Sequence, residues 1–269
     1  MARRFFLTAM LFLCLLILST PAAAAPVIFS ASGANPAAIQ TTVDVFRAAL
    51  GPRREINCDR VPDAISAPNN FPPNFFNVNS PRGVVFSTPG SGFQVSADSV
   101  NPTATPIQFG NINPTYPGLF ETFSAERLFT AVGSNITDGL FFVPGSNTPA
   151  TVSGFGAVFT DVDLANSTNI QYFDQGNALL GSFFVPSWTG EQTLSFLGVA
   201  FNAGERVSRV RITSGNSILG PNESLPNLDL VVMDDFIYAE PQATPLPGTF
   251  LLMGTGLAGF WLRRRFMKK

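Results

Sequence analysis

Histidine is absent from all 269 residues. With no imidazole, the chain has no serine or cysteine hydrolysis through a histidine base, and no histidine-bound zinc. Cysteine is nearly absent too, with Cys14 and Cys58 the only two, and Cys14 falls inside an N-terminal apolar run. Once that run is removed, Cys58 has no partner for an internal disulfide, so stability rests on the core. Lysine occurs only as Lys268 and Lys269 at the very end. No G-x-S-x-G elbow, phosphate loop or dinucleotide fingerprint is present, and no internal repeat is visible.

What charge there is divides unevenly. Arg3 and Arg4 precede the first apolar run, and Arg263, Arg264, Arg265, Lys268 and Lys269 close the chain. Of the sixteen cations nine then remain between the two ends, all arginine, against all eighteen acids, so the middle carries about −9. A field of that sign repels nucleic acid and anionic lipid and keeps an exported domain soluble.

The two ends read as delivery segments. Arg3 and Arg4, the apolar run Phe5–Leu18 and the small residues Pro21–Ala25 make a secretory signal over residues 1–24, with Ala22 and Ala24 positioned for signal peptidase. Cleavage after Ala24 keeps Pro26 off the position next to the cut. At the other end, residues 241–269 begin with a proline-rich hinge and continue as the uncharged run Thr249–Leu262, fourteen residues long. A spanning helix wants about twenty residues. Snorkelling arginines and local thinning let this shorter run serve as a C-terminal transmembrane helix, and Gly254, Gly256 and Gly259 are at home there.

Pro245-Leu246-Pro247-Gly248, the run Thr249–Leu262 and Arg263–Arg265, in that order, resemble the PEP-CTERM sorting signal of exported bacterial proteins. Pro-Leu-Pro stands where that family has Pro-Glu-Pro, with Glu240-Pro241 just upstream. The resemblance implies transient anchoring in the inner membrane, cutting near the motif by the membrane protease exosortase, and transfer of the body to the cell surface or extracellular matrix. The words REIN-x-D, VPD, FFN and PRGVVFST between residues 54 and 88 resemble an uncharacterised group of exported proteins with the same tail.

Residues 25–240 form the body, and their composition is that of a β protein: 27 Phe with abundant Thr, Ser, Gly, Pro and Asn. One helix is predicted over residues 36–50, where Ile39, Val43, Phe46 and Leu50 recur on one face and Gly51-Pro52 ends it, covering the mouth or edge of a sandwich. Residues 51–81 read as an irregular loop pinned by Phe71, Phe75 and Phe76. Strands are predicted at 84–88, 92–97, 119–124, 127–132, 139–143, 151–163, 169–173, 178–185, 194–201, 206–213 and 228–238, with a hairpin at Asp174–Asn177. About ten short strands without a βα pattern indicate an all-β fold, an antiparallel, jelly-roll-like β-sandwich in one domain.

Among the acids Asp234 and Asp235 stand out. Strand alternation sends them to opposite faces, both flanked by apolar residues, so each needs a partner. Three readings are open: pairing with Arg209 or Arg211, hydrogen bonds to loop amides, or a structural calcium ion shared with Asp161 and Asp163. Trp188, the one tryptophan of the body, lies in a loop where it either stacks on a sugar ring or packs back onto the domain. The expected function is a non-enzymatic surface or matrix protein, structural or associated with exopolysaccharide. The other reading is a secreted polysaccharide-active enzyme working through paired carboxylates.

Overall fold

The computed structural model describes residues 25–221 and 227–244. The signal segment with Ala22 and Ala24, the hinge Pro245–Gly248, the run Thr249–Leu262 and Arg263–Arg265 lie outside them. Among the described residues no helix is long and apolar enough to cross a membrane.

In chain order the elements are β1 (Val27–Gly33), α1 (Pro36–Leu50), β2 (Arg53–Ile56), the short α2 (Phe75–Val78), β3 (Val84–Ser87), β4 (Gly92–Val95), β5 (Phe129–Val132) and β6 (Ile136–Phe141). They continue with β7 (Ala150–Thr151), β8 (Gly154–Thr160), β9 (Asn169–Phe173), β10 (Leu179–Phe184), β11 (Leu194–Ala200), β12 (Arg209–Thr213), β13 (Val232–Ala239) and β14 (Gln242–Ala243). One antiparallel sheet runs β1-β11-β8-β13-β5-β4, with β2 also paired to β13. A second runs β10-β9-β12-β6-β3, and β14 pairs with β7 apart from both. Residues before 150 supply strands to both large sheets, so the two halves of the body share one core.

The sheets meet through aromatic side chains. Phe86 of β3 lies 4.8 Å from Phe129 and 5.2 Å from Phe236 between ring centres. Phe141 of β6 lies 5.3 Å from Tyr238, and the buried Tyr172 hydroxyl donates to the Phe155 carbonyl at 3.0 Å. Phenylalanine thus supplies much of the packing between the sheets, where large rings bury the most apolar area per residue. On β12 the alternation holds: Val210 and Ile212 are buried, while Arg209 and Arg211 turn outward.

Helix α1 has the predicted bounds, Asn35 capping the Ala38 amide at one end and Gly51 at φ 65° closing the other. It packs at the edge of the first sheet, over the terminal strand β1 and its neighbour β11, where the sheet face is flattened by glycine: Gly156 of β8 pairs with Gly198 of β11. A Cβ at Gly198 would come within 2.8 Å of the Phe46 ring, and one at Gly154 within 2.6 Å of Leu50. The glycines therefore make the seat for the apolar stripe of the helix, and Phe46 also touches Phe29 and Phe196.

Several segments depart from the expected pattern, the short α2 inside the expected loop and β14 beyond the expected body among them. β1 and β2 are strands the pattern did not announce; β2 is charged because it runs along an edge, where Arg54 pairs with Glu240 and Arg53 with Glu55. Residues 119–124 are not a strand. Their amides are taken by side chains instead: Glu121 N–H donates to Thr160 Oγ1 at 2.9 Å, and Phe123 and Ser124 donate to Asp234.

Candidate functional site

The 119–124 segment is held by a bulge. The register between β13 and β8 shifts between Met233 and Phe236, which sets Asp234 and Asp235 off the ladder. Alternation predicts opposite faces for the two, but the extra residue brings both carboxyls to one hydroxyl. Ser124 Oγ lies 2.7 Å from Asp235 Oδ1 and 3.3 Å from Asp234 Oδ1. Asp234 Oδ2 also accepts the amides of Phe123 at 2.5 Å and Ser124 at 3.2 Å. Neither Arg209 nor Arg211 reaches the pair; both bind Asp138 across β6, at 2.9 and 2.8 Å, and Arg209 also covers the Phe173 ring. Of the three partners open to Asp234, the loop amides are the ones present.

Both carboxyls are raised above the usual carboxylate range, first by burial. For Asp234 the charge of Asp235 adds to it. Of the two, Asp234 is the more deeply buried and is pushed the further up. Cys58 is buried nearby at φ 63°, and burial, with the charges of Asp234 and Asp235, pushes its thiol well up. A thiol held protonated is a poor nucleophile.

Asp235 and Ser124 form part of the floor of a cleft of about 620 Å3 between α1, the 55–61 segment, α2 and residues 80–82. Arg47 spans its inner end, 2.9 Å from Glu55 and 3.6 Å from Asp235, and balances both acids. Arg60 and Arg82 stand exposed on the walls with the half-buried Phe75 and Phe123. The words REIN-x-D and PRGVVFST contain or adjoin these residues, but nothing local marks them as a site, because the pocket comes from the loop folding back on α1.

Asp161 and Asp163 lie elsewhere. Asp161, at φ 67° after β8, is 6 % exposed and its Oδ1 has no partner among the described residues. Burial, and then the charges of Asp163, Glu191 and Asp229, push it up to about 8. Asp163 Oδ1 accepts the Gly190 amide, and Asp229 accepts from Ser167 and the Asp163 amide. The four aspartates considered for calcium therefore divide between two places, because the bulge turns Asp234 and Asp235 toward Ser124. Among the described residues no group of three or more Asp, Glu or Cys is arranged to hold a metal ion. Trp188 is 47 % exposed, in the loop beside Asp163 and away from the cleft. A further buried charge escaped the sequence reading: Arg127 is 2 % exposed, binds Asp63 and Asp98, and donates to the Ser96 carbonyl at 2.9 Å.

Residues 243–265 match the family described as the PEP-CTERM protein-sorting motif. No curated protein matches the chain. Among solved structures it is similar to the enzymatically active domain of tailspike protein 4 (TSP4dN, orf213) of bacteriophage CBA120, at 11% identity and a TM-score of 0.30. The match covers 66% of this chain and 22% of that one, so the chain spans about a fifth of that structure's length. A likeness at this score carries no argument about fold or activity.

Proposed function

We propose that this PEP-CTERM exosortase substrate is an exported surface or matrix protein whose jelly-roll-like sandwich works without catalysis, as a structural or carbohydrate-associated part. Signal peptidase removes residues 1–24, the run Thr249–Leu262 anchors the chain transiently in the inner membrane, and Arg263–Arg265 stay on the cytoplasmic side. The observation that carries the reading is the sorting motif at 243–265. The fold supports it. The last strand pair, β14 with β7, ends at Ala243, and Thr244 is tied by its amide to the Pro149 carbonyl at 3.1 Å. A cut near Pro245–Gly248 therefore leaves every strand among the described residues in place.

The absence of catalysis is supported by how the reactive groups are used. Asp234 spends one oxygen on two loop amides and the other on the Ser124 hydroxyl, and burial pushes the Cys58 thiol well up. One observation favours the other reading, a polysaccharide-active enzyme: Asp235 and Glu55 both reach the cleft, with Arg47 between them. Arg47 ion-pairs with both acids, however, and Arg53 holds Glu55 as well at 2.5 Å, so neither carboxylate is left free to flank a glycosidic bond. Incubation of the protein with uronate-containing and neutral polysaccharides should release no reducing ends. Release that disappears in Asp235→Asn or Glu55→Gln would replace the proposal with the enzyme.

A further inference from the structure

The nine arginines of the body are not used alike. Six make ion pairs: Arg47, Arg53, Arg54, Arg127, Arg209 and Arg211. Arg206 binds the Thr151 hydroxyl and carbonyl at 3.1 and 2.6 Å. Arg60 and Arg82 make no ion pair or side-chain hydrogen bond among the described residues, and both line the one cleft of about 620 Å3. In a body carrying twice as many acids as cations, two free guanidinium groups in one recess are a local reversal of sign that folding does not require.

From this placement we infer that the cleft binds an acidic saccharide, a uronate-bearing oligosaccharide whose carboxylate is held by Arg60 and Arg82. The inference rests on the proposal that the exported body is carbohydrate-associated. A guanidinium presents a planar fork of donors that matches a carboxylate in two places at once. The acids of the wall do not cancel it, since Arg47 already binds Glu55 and lies 3.6 Å from Asp235.

The rest of the wall fits a sugar better than a peptide or a nucleic acid. Phe75 and Phe123 offer half-buried rings for the apolar face of a pyranose. Gln40 and Asn57 donate their amide nitrogens to Asp44 and Asp59, which leaves their oxygens as acceptors for hydroxyl groups. The volume is that of a small-ligand site and admits a short oligomer. Long polyphosphates meet the negative body on either side of it.

The test uses the full-length protein in neutral detergent and titration calorimetry with oligogalacturonate, its neutral galactose counterpart and oligoglutamate. Oligogalacturonate should bind at least about tenfold more tightly than either of the others, and more weakly as salt is raised. The double variant Arg60→Gln, Arg82→Gln should weaken binding by about tenfold or more. Both residues are exposed, so its melting temperature should match the parent's, and Arg206→Gln should leave binding unchanged. Equal binding of the neutral oligomer, equal binding of oligoglutamate, or unaltered binding by the double variant would each overturn the assignment. Turnover of the bound oligomer would remove the non-catalytic reading while leaving the site standing.

Discussion

Asp234→Ala is expected to lower the stability of the body by about 2–3 kcal/mol, because it leaves the half-buried amides of Phe123 and Ser124 without their acceptor. Asp234→Asn is expected to change it by less than about 1 kcal/mol. The amide oxygen can accept the same two bonds, and a neutral side chain suits a buried position where the carboxyl is pushed well above its usual range. The contrast between the two variants is diagnostic. Chemical denaturation at neutral pH measures both, and an Asn variant as unstable as the Ala variant would show that the loss does not come from the two amides. The consequence reaches the cleft, since Ser124 and Phe123 form part of its wall.

The second large effect is a pH dependence centred on Asp161. Its folded value of about 8 lies above the ordinary 3.8, so the folded body keeps a proton that the unfolded chain gives up. The associated stability is complete below about pH 4 and is lost as pH rises to about 8, beyond which no more is lost. Asp161→Asn removes the titration, and asparagine tolerates the positive φ of 67°. By pH 9 the variant should be more stable than the parent by on the order of 4 kcal/mol, against little difference at pH 4. Asp59, raised by burial to about 6, together with Asp229, Asp234 and Asp235, gives the parent a further slope of the same sign. Melting curves of both proteins across that range provide the check; parallel curves would show that Asp161 does not hold its proton in the folded state.

What could be read from the residues depended on how local the cause was. Helix α1 is legible because a four-residue apolar stripe and a Gly-Pro stop lie within sixteen residues, and the hairpin between β9 and β10 because its turn residues are adjacent. Which strands α1 docks on was not legible, since the seat is made by Gly156 and Gly198 on two strands distant in sequence. The same reason hides the site. Leu119–Ser124 has the composition of a strand, yet Asp234, more than a hundred residues later, competes for its amides and wins. A single extra residue at the bulge brings together two carboxyls that simple alternation sends to opposite faces. Arg60 and Arg82 look like ordinary surface charges until the folded chain shows every other body arginine engaged.

The sorting tail, by contrast, is read in full from contiguous residues, because hinge, apolar run and basic end act through their order. The account stands on the claim that this tail delivers an intact β body to the exterior and is then cut away. Its most direct test is intact-mass measurement of the protein recovered from the outer surface of a host with exosortase, beside the same host lacking it. With the protease, the product should begin near Ala25 and end within Pro245–Gly248; without it, the chain should stay in the inner membrane with Lys269 still attached. A full-length chain in the cytosol, or an external product that keeps its basic end when exosortase is present, would contradict the account.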